Sequence, residues 1–283
     1  MFFRTMRRVS PPVRALCAIA LSLTVSACSM FGEEVAEEEP PVENLYSQAD
    51  AELNGGNERK AAELFDEVER LYPTSRWAKR AIIMSAYASY EYGDYDKAAL
   101  TAQRFLEFYP SDKDAPYAQY LIALSHYDQI TDVGRDQART QLALQSLREL
   151  INRYPNSEYA REAKLKLDLT LDHLAGKEME VGRYYLKRRE YVGAINRFRT
   201  VVTDYQTTSH VPEALHRLVE AYLALGVENE AKSAAAVLGH NFPGSPWYQD
   251  SYALLTGRDL RPEADENSWI VRVYDRVVKG KWL

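Results

Sequence analysis

The chain has 283 residues, 46% hydrophobic and 27% charged, which are ordinary globular proportions and exclude a disordered or membrane-spanning chain. A formal charge of −6 leaves no overall basic excess to neutralise phosphates and so argues against a nucleic-acid partner. Only two cysteines occur, Cys17 and Cys28, both in the first tenth of the sequence, so the remainder holds no disulfide framework and no thiolate metal site.

That first tenth reads as a targeting segment. Arg4, Arg7, Arg8 and Arg14 precede an apolar run at 15–25 that suits a signal peptide and is too short to span a bilayer. Val25-Ser26-Ala27-Cys28 follows and is similar to the lipobox of bacterial lipoproteins, whose Cys is thioether-linked to diacylglycerol and becomes the new N-terminus. Cys28 is therefore the expected lipidation site; the alternative is a plain signal peptide with Cys28 incidental. Ser29, being other than Asp, favours transfer to the outer membrane by the same lipoprotein rule, with the chain anchored on the periplasmic face. Removal of residues 1–27 takes away four arginines and no acids, moving the formal charge from −6 to −10. Residues 28–42 carry Glu33, Glu34, Glu37, Glu38, Glu39, Pro40 and Pro41, cannot bury apolar surface, and read as a flexible acidic spacer.

A folded part is expected over 43–256, punctuated by a turn that comes back five times: Leu71-Tyr72-Pro73-Thr74-Ser75, Phe108-Tyr109-Pro110-Ser111-Asp112, Arg153-Tyr154-Pro155-Asn156-Ser157, Asp204-Tyr205-Gln206-Thr207-Thr208 and Asn241-Phe242-Pro243-Gly244-Ser245. An aromatic residue closes one helix, Pro stops it for want of an N–H, and a small polar residue caps the next. Twelve residues before each turn stands an alanine: Ala61, Ala98, Ala143, Ala194 and Ala231. Five residues before each turn stands an apolar residue: Val68, Phe105, Leu150, Val201 and Leu238. Gly56, Gly93 and Gly226 precede three of the alanines by five positions. The small residue lets antiparallel helices approach, and the glycine turns the loop between them through positive φ. Tetratricopeptide repeats use this grammar, with a period of roughly 34 residues.

Five helix pairs are expected: 44–53 with 59–72, 76–92 with 95–109, 115–130 with 136–154, 178–187 with 191–205, and 211–225 with 229–242. The turns lie 37, 45, 51 and 37 residues apart. The two long intervals hold an insertion loop at 131–135 and an extra helix at 158–174, whose Ala160, Ala163, Leu167, Leu171 and Leu174 recur at helical spacing. The fold class is thus an all-α superhelical solenoid with one extra helix. A helix near 248–255 covers its end. The segment 257–283 reads as a charged linker and an amphipathic helix, with Trp269, Ile270, Val273, Tyr274, Val277 and Val278 on one face. That helix either caps the last repeat or binds a partner, and the polar linker in front of it tilts the reading towards a partner.

No catalytic constellation stands out. The histidines His126, His173, His210, His216 and His240 are scattered over separate repeats, and no HExxH, GxSxG or P-loop pattern occurs, so neither an enzyme nor a cofactor or metal is expected. A curved stack of helix pairs instead offers a groove for an extended peptide or another domain. Tyr72, Trp77, Tyr87, Tyr90 and Tyr92 crowd the first two repeats. Most are expected in the core, with one or two facing the groove, and the first four are the groove candidates.

The lipobox, the acidic spacer and the stretches Gly134-Arg135-Asp136-Gln137, Arg153-Tyr154-Pro155-Asn156-Ser157-Glu158-Tyr159-Ala160 and Val181-Gly182-Arg183-Tyr184-Tyr185 through Ala194-Ile195-Asn196-Arg197-Phe198 resemble the BamD family, lipoprotein subunits of the outer-membrane β-barrel assembly machinery. The resemblance spans about residues 43–242. It implies a non-enzymatic scaffold with two ends. The N-terminal repeats, with Tyr72 at a position the family uses, would take up the C-terminal targeting strand of an unfolded barrel protein. The C-terminal repeats would dock the last POTRA domain of a BamA-like barrel subunit. Arg197 matches a family residue important for that contact, with Asn196, Arg135 and Asp136 as further partner-contact residues, and other Bam lipoproteins are implied as partners. Two rivals remain open: a lipid-anchored tetratricopeptide adaptor for pilus secretin or cell-wall enzyme assembly, and a periplasmic enzyme on a degenerate helical-repeat fold, which would need clustered polar groups in one pocket.

Overall fold

A computed structural model describes residues 40–277, which form twelve α-helices and, among the described residues, no strand. The expected signal peptide, Cys28 and all but the end of the acidic spacer lie outside the described residues. The helices are α1 (Val42–Asn54), α2 (Glu58–Leu71), α3 (Arg76–Glu91), α4 (Tyr95–Phe108), α5 (Ala115–Tyr127), α6 (Ala138–Arg153), α7 (Glu158–Lys187), α8 (Tyr191–Asp204), α9 (Val211–Leu225), α10 (Glu228–Asn241), α11 (Pro246–Thr256) and α12 (Trp269–Val277). Each helix packs on the next from α1 through α11, the pattern of a helix-pair solenoid. No described helix is long and apolar enough to cross a membrane.

All five turns have one geometry. Tyr72, Tyr109, Tyr154, Tyr205 and Phe242 cap their helices with φ between −128° and −133°. In every copy the aromatic residue's N–H still donates to the carbonyl four residues back, and its own carbonyl accepts the N–H three residues on, at 3.0–3.1 Å. Gln206 replaces Pro in the fourth turn without altering it, so the aromatic cap and the third-residue hydrogen bond define the turn. Ser75, Ser157 and Ser245 then accept a backbone N–H at the start of α3, α7 and α11. The expected ladders are equally regular: the five alanines and the five apolar residues that follow them are all fully buried. Gly56, Gly93 and Gly226 have φ of 76°, 86° and 76°. In the fourth copy that place is held by Arg189, at φ 62°.

The structure corrects the sequence reading of the fourth repeat. The extra helix and the first helix of that pair are one 30-residue helix, α7. Residues 174–178 contain no proline and no capping residue, and a lone Gly176 destabilises a helix by only about 1 kcal/mol, so nothing stops it. Its second half packs against α8 through Gly182, where an added Cβ would overlap a ring carbon of the fully buried Phe198.

At the other end, the linker lies along α10, held by Lys232–Glu263 at 2.8 Å and by Asp265 N–H donating to Ser233 Oγ at 3.2 Å. It delivers α12 onto α10. Ile270 is fully buried, and Trp269 Nε1 donates to Tyr222 Oη at 2.8 Å. Trp269, Ile270 and Tyr274, on the apolar face for which the sequence favours a partner, therefore pack on the solenoid itself, and this part of α12 caps it; Val278 of that face lies outside the described residues.

Two substitutions test this packing by thermal melting. Gly182→Ala is expected to destabilise by about 1–3 kcal/mol through overpacking on Phe198. Arg189→Gly is expected to stabilise by about 0.5–1 kcal/mol, because relief of a left-handed L-residue exceeds the entropy of the added glycine.

Candidate partner-binding surfaces

The first helices of successive pairs touch one another, α1 on α3, α3 on α5 and α5 on α7, while no comparable packing joins the second helices α2, α4, α6, α8 and α10. Elements crowd on the inside of a curve, so the first helices line the concave face. On that face a cleft of about 1080 Å³ opens between α3 and α5. Trp77, Ile83 and Met84 of α3 and Tyr109 and Tyr117 from the next repeat give it an apolar floor.

Four cations border this cleft, Arg76, Lys79, Arg80 and Lys113, against one carboxylate, Asp114. Lys79 is committed to Asp112 at 2.6 Å. Arg76, Arg80 and Lys113 form no ion pair among the described residues, and the first two lie over aromatic rings, Arg76 5.2 Å from the Trp77 centroid and Arg80 5.7 Å from that of Tyr46. Trp77 is itself fixed, its Nε1 donating to Glu43 at 3.2 Å and its ring 4.7 Å from Tyr46. Burial pushes the Tyr117 phenol well above its ordinary pKa, so it stays neutral and does not offset the cations. The arrangement suits an extended segment with an aromatic or apolar side chain and a carboxylate.

Of the four groove candidates from the sequence, only Trp77 lines this cleft. Tyr72 packs on the first-repeat core at its turn. Tyr87 and Tyr90 are half-buried against the α3–α5 core, and the Tyr90 hydroxyl donates to Asp128 at the end of α5.

The C-terminal half carries a different charge pattern. Arg183 of α7 donates two hydrogen bonds to Glu213 of α9, both at 2.8 Å. Arg217 adds a contact to Glu213 at 3.3 Å and one to Glu220 at 2.7 Å. Burial alone would raise the Glu213 pKa, but the two arginines bring it below the usual carboxylate range. His216, 4% exposed, has Nδ1 2.8 Å from Ser251 Oγ, and burial lowers its pKa.

Arg197 lies on α8, half-exposed, and reaches Glu178 of α7 at 3.2 Å; Asn196 beside it is exposed. Arg135 and Asp136 are exposed in the loop between α5 and α6, and the Asp136 carboxylate accepts the Ala138 N–H at 3.3 Å. Among the described residues no hydrogen bond or ion pair joins this loop pair to Asn196 or Arg197, so the structure does not bring the four into one cluster. Both pairs nonetheless adjoin α7, Arg197 through Glu178 and the loop through Lys177, whose Nζ donates to Gly134 O at 3.0 Å.

Comparison with known proteins decides the family. The profile of the outer membrane lipoprotein family YfiO matches residues 38–238. The outer membrane protein assembly factor BamD of Caulobacter vibrioides is 47% identical over 256 residues, 90% of this chain and 84% of that protein. BamD of Rickettsia prowazekii is 43% identical over 76% of this chain and 86% of its own length, and BamD of Neisseria meningitidis serogroup A is 35% identical over 83% and 93%. The chain belongs to the BamD family of outer membrane protein assembly factors. Membership associates it with the outer membrane and its assembly machinery. Solved helical-repeat structures overlay loosely, the P58(IPK) TPR domain giving a TM-score of 0.39 at 12% identity over 98% of this chain and 72% of that one.

Within this BamD-family chain, sequence reasoning found Trp77 and missed Tyr109, Tyr117 and the cations around the α3–α5 cleft. The signal was present in Arg76-Trp77-Ala78-Lys79-Arg80, a basic run around an aromatic at a helix start, but Lys113 joins it only through the fold. The two arginine contacts of the C-terminal half are expected to differ in weight. Arg197→Ala removes a half-exposed pair and should change stability by less than about 1 kcal/mol. Arg183→Ala strips the mostly buried Glu213 of its two-bond partner and should destabilise by about 2 kcal/mol, read by denaturant unfolding of both variants.

Proposed function

We propose that this chain is a lipid-anchored, non-enzymatic scaffold on the periplasmic face of the outer membrane, acylated at Cys28. Its N-terminal repeats hold the C-terminal targeting strand of an unfolded barrel protein, and its C-terminal repeats dock the last POTRA domain of a BamA-like barrel subunit. The observation that carries this reading is the cleft between α3 and α5, where an aromatic floor meets three cations that have no ion-pair partner of their own among the described residues. A strand ending in an aromatic residue and a free carboxylate matches both features. Recognition of an extended strand by its end tolerates many sequences, as a carrier of diverse barrels requires.

Docking at the other end is assigned to Arg197, with Asn196 beside it. A planar guanidinium, already exposed on one side and held by Glu178 on the other, is suited to an interface ion pair. Other lipoproteins of the machinery are further partners in this reading.

Fluorescence anisotropy with a labelled peptide that ends in an aromatic residue and a free carboxylate tests the N-terminal half. Arg76→Ala with Arg80→Ala is expected to weaken binding at least about tenfold, the loss from one charge-assisted contact, and affinity should fall as salt rises. Unchanged affinity in the double variant, or equal binding of the C-terminally amidated peptide, would remove the cleft from the proposal.

A further inference from the structure

The loop between α5 and α6, one of the two departures from the repeat pattern, packs against α7 just past the middle of that helix. Gly176 is where they meet: an added Cβ there would lie 3.3 Å from His210 Nε2 at the start of α9 and 3.7 Å from Val133 Cγ1 of the loop. A cleft of about 450 Å³ opens beside this junction. On its rim α7 exposes two leucines that no described hydrophobic cluster includes. Leu169 lines the cleft at 61% exposed, and Leu165, one turn earlier, is 67% exposed. The opposite face of the same helix half is buried through Ala160, Ala163 and Thr170, so the two leucines are not needed for the core.

The charges in the cleft decide what covers that face. Asp132, Asp172 and Glu180 line it, and its one arginine, Arg183, is already bound to Glu213. The other basic groups beside these acids are Lys177, 3.8 Å from Glu180, and His210, 3.5 Å from Asp172, which leaves the carboxylates in excess. His173 Nε2 is shielded from solvent and has no hydrogen-bond partner among the described residues. Beyond the cleft, Asp168 is exposed between the two leucines, and Arg161 and Lys164 are exposed beside Leu165, so the acidic excess is confined to the cleft itself. An occupant must therefore bring positive charge together with apolar surface.

We propose that this face of α7, with the α5–α6 loop, is a docking surface for a protein segment carrying a lysine or arginine next to large apolar side chains. The apolar residues cover Leu165 and Leu169, and the cation enters the cleft among Asp132, Asp172 and Glu180. The surface is separate from the α3–α5 cleft, shares α7 with the Arg197–Glu178 pair, and does not depend on the function proposed for either.

The test is photocrosslinking of the full-length chain in its own membranes, with Leu169→p-benzoylphenylalanine, in the presence and absence of Asp132→Asn plus Glu180→Gln. The expected result is an adduct with another protein, mapped by mass spectrometry to a segment with Lys or Arg beside large apolar residues, whose yield falls about tenfold in the neutralised variant. Circular dichroism melting of the neutralised variant establishes that it is folded. No adduct, an adduct with lipid or a second copy of this chain, or a protein adduct indifferent to the neutralisation would overturn the proposal.

Discussion

The structure depends on how closely consecutive helices approach at five alanines. Ala61, Ala98, Ala143, Ala194 and Ala231 are each without exposed surface, and each sits seven residues before a buried apolar residue on the same helix. A methyl at the contact lets backbones come together at the short end of the roughly 8–10 Å range, and the following Val, Phe or Leu fills the space one layer on. Once that distance is set, the left-handed residue before each second helix in four of the five pairs and the aromatic cap after it fix the angles at which pairs join. Gly182 and Gly239 extend the same constraint, leaving room for the rings of Phe198 and Tyr248, which an added Cβ would overlap. The concave face follows from this geometry, because the first helices of neighbouring pairs are pressed together.

Much of this was legible in the sequence because its causes are local. A turn whose hydrogen bonds span four residues and a helix contact that needs a small side chain leave a mark at fixed spacing. The length of α7 was less legible, since a 51-residue interval between turns is equally consistent with two helices or one. What decided it was the absence of any stop at 174–178. The Arg189 position shows the reverse case: a bulky residue holds a left-handed turn because the hydrogen bonds of its neighbours, including Glu190 N–H to Tyr185 O at 3.0 Å, fix it there.

Sites were harder to read than fold because they are assembled across repeats. Tyr90 and Trp77 share one helix, yet Trp77 faces the cleft and Tyr90 packs between α3 and α5, where its hydroxyl meets an aspartate 38 residues away. Lys113 joins Arg76 and Arg80 only because α5 stacks on α3. An overall acidic chain thus gathers cations at one place on its concave face and excess carboxylates at another, beside α7. Net charge conceals both, and the separation gives the solenoid two chemically opposite surfaces from one repeated frame.

The central claim is that the scaffold works within the barrel-assembly machinery, and it is tested most directly by affinity purification of the membrane-extracted, full-length chain with its co-purifying proteins identified by mass spectrometry. Recovery of an outer-membrane barrel protein bearing periplasmic POTRA domains is the predicted result. Recovery of a secretin or a cell-wall enzyme without such a barrel would contradict the account while leaving the solenoid intact.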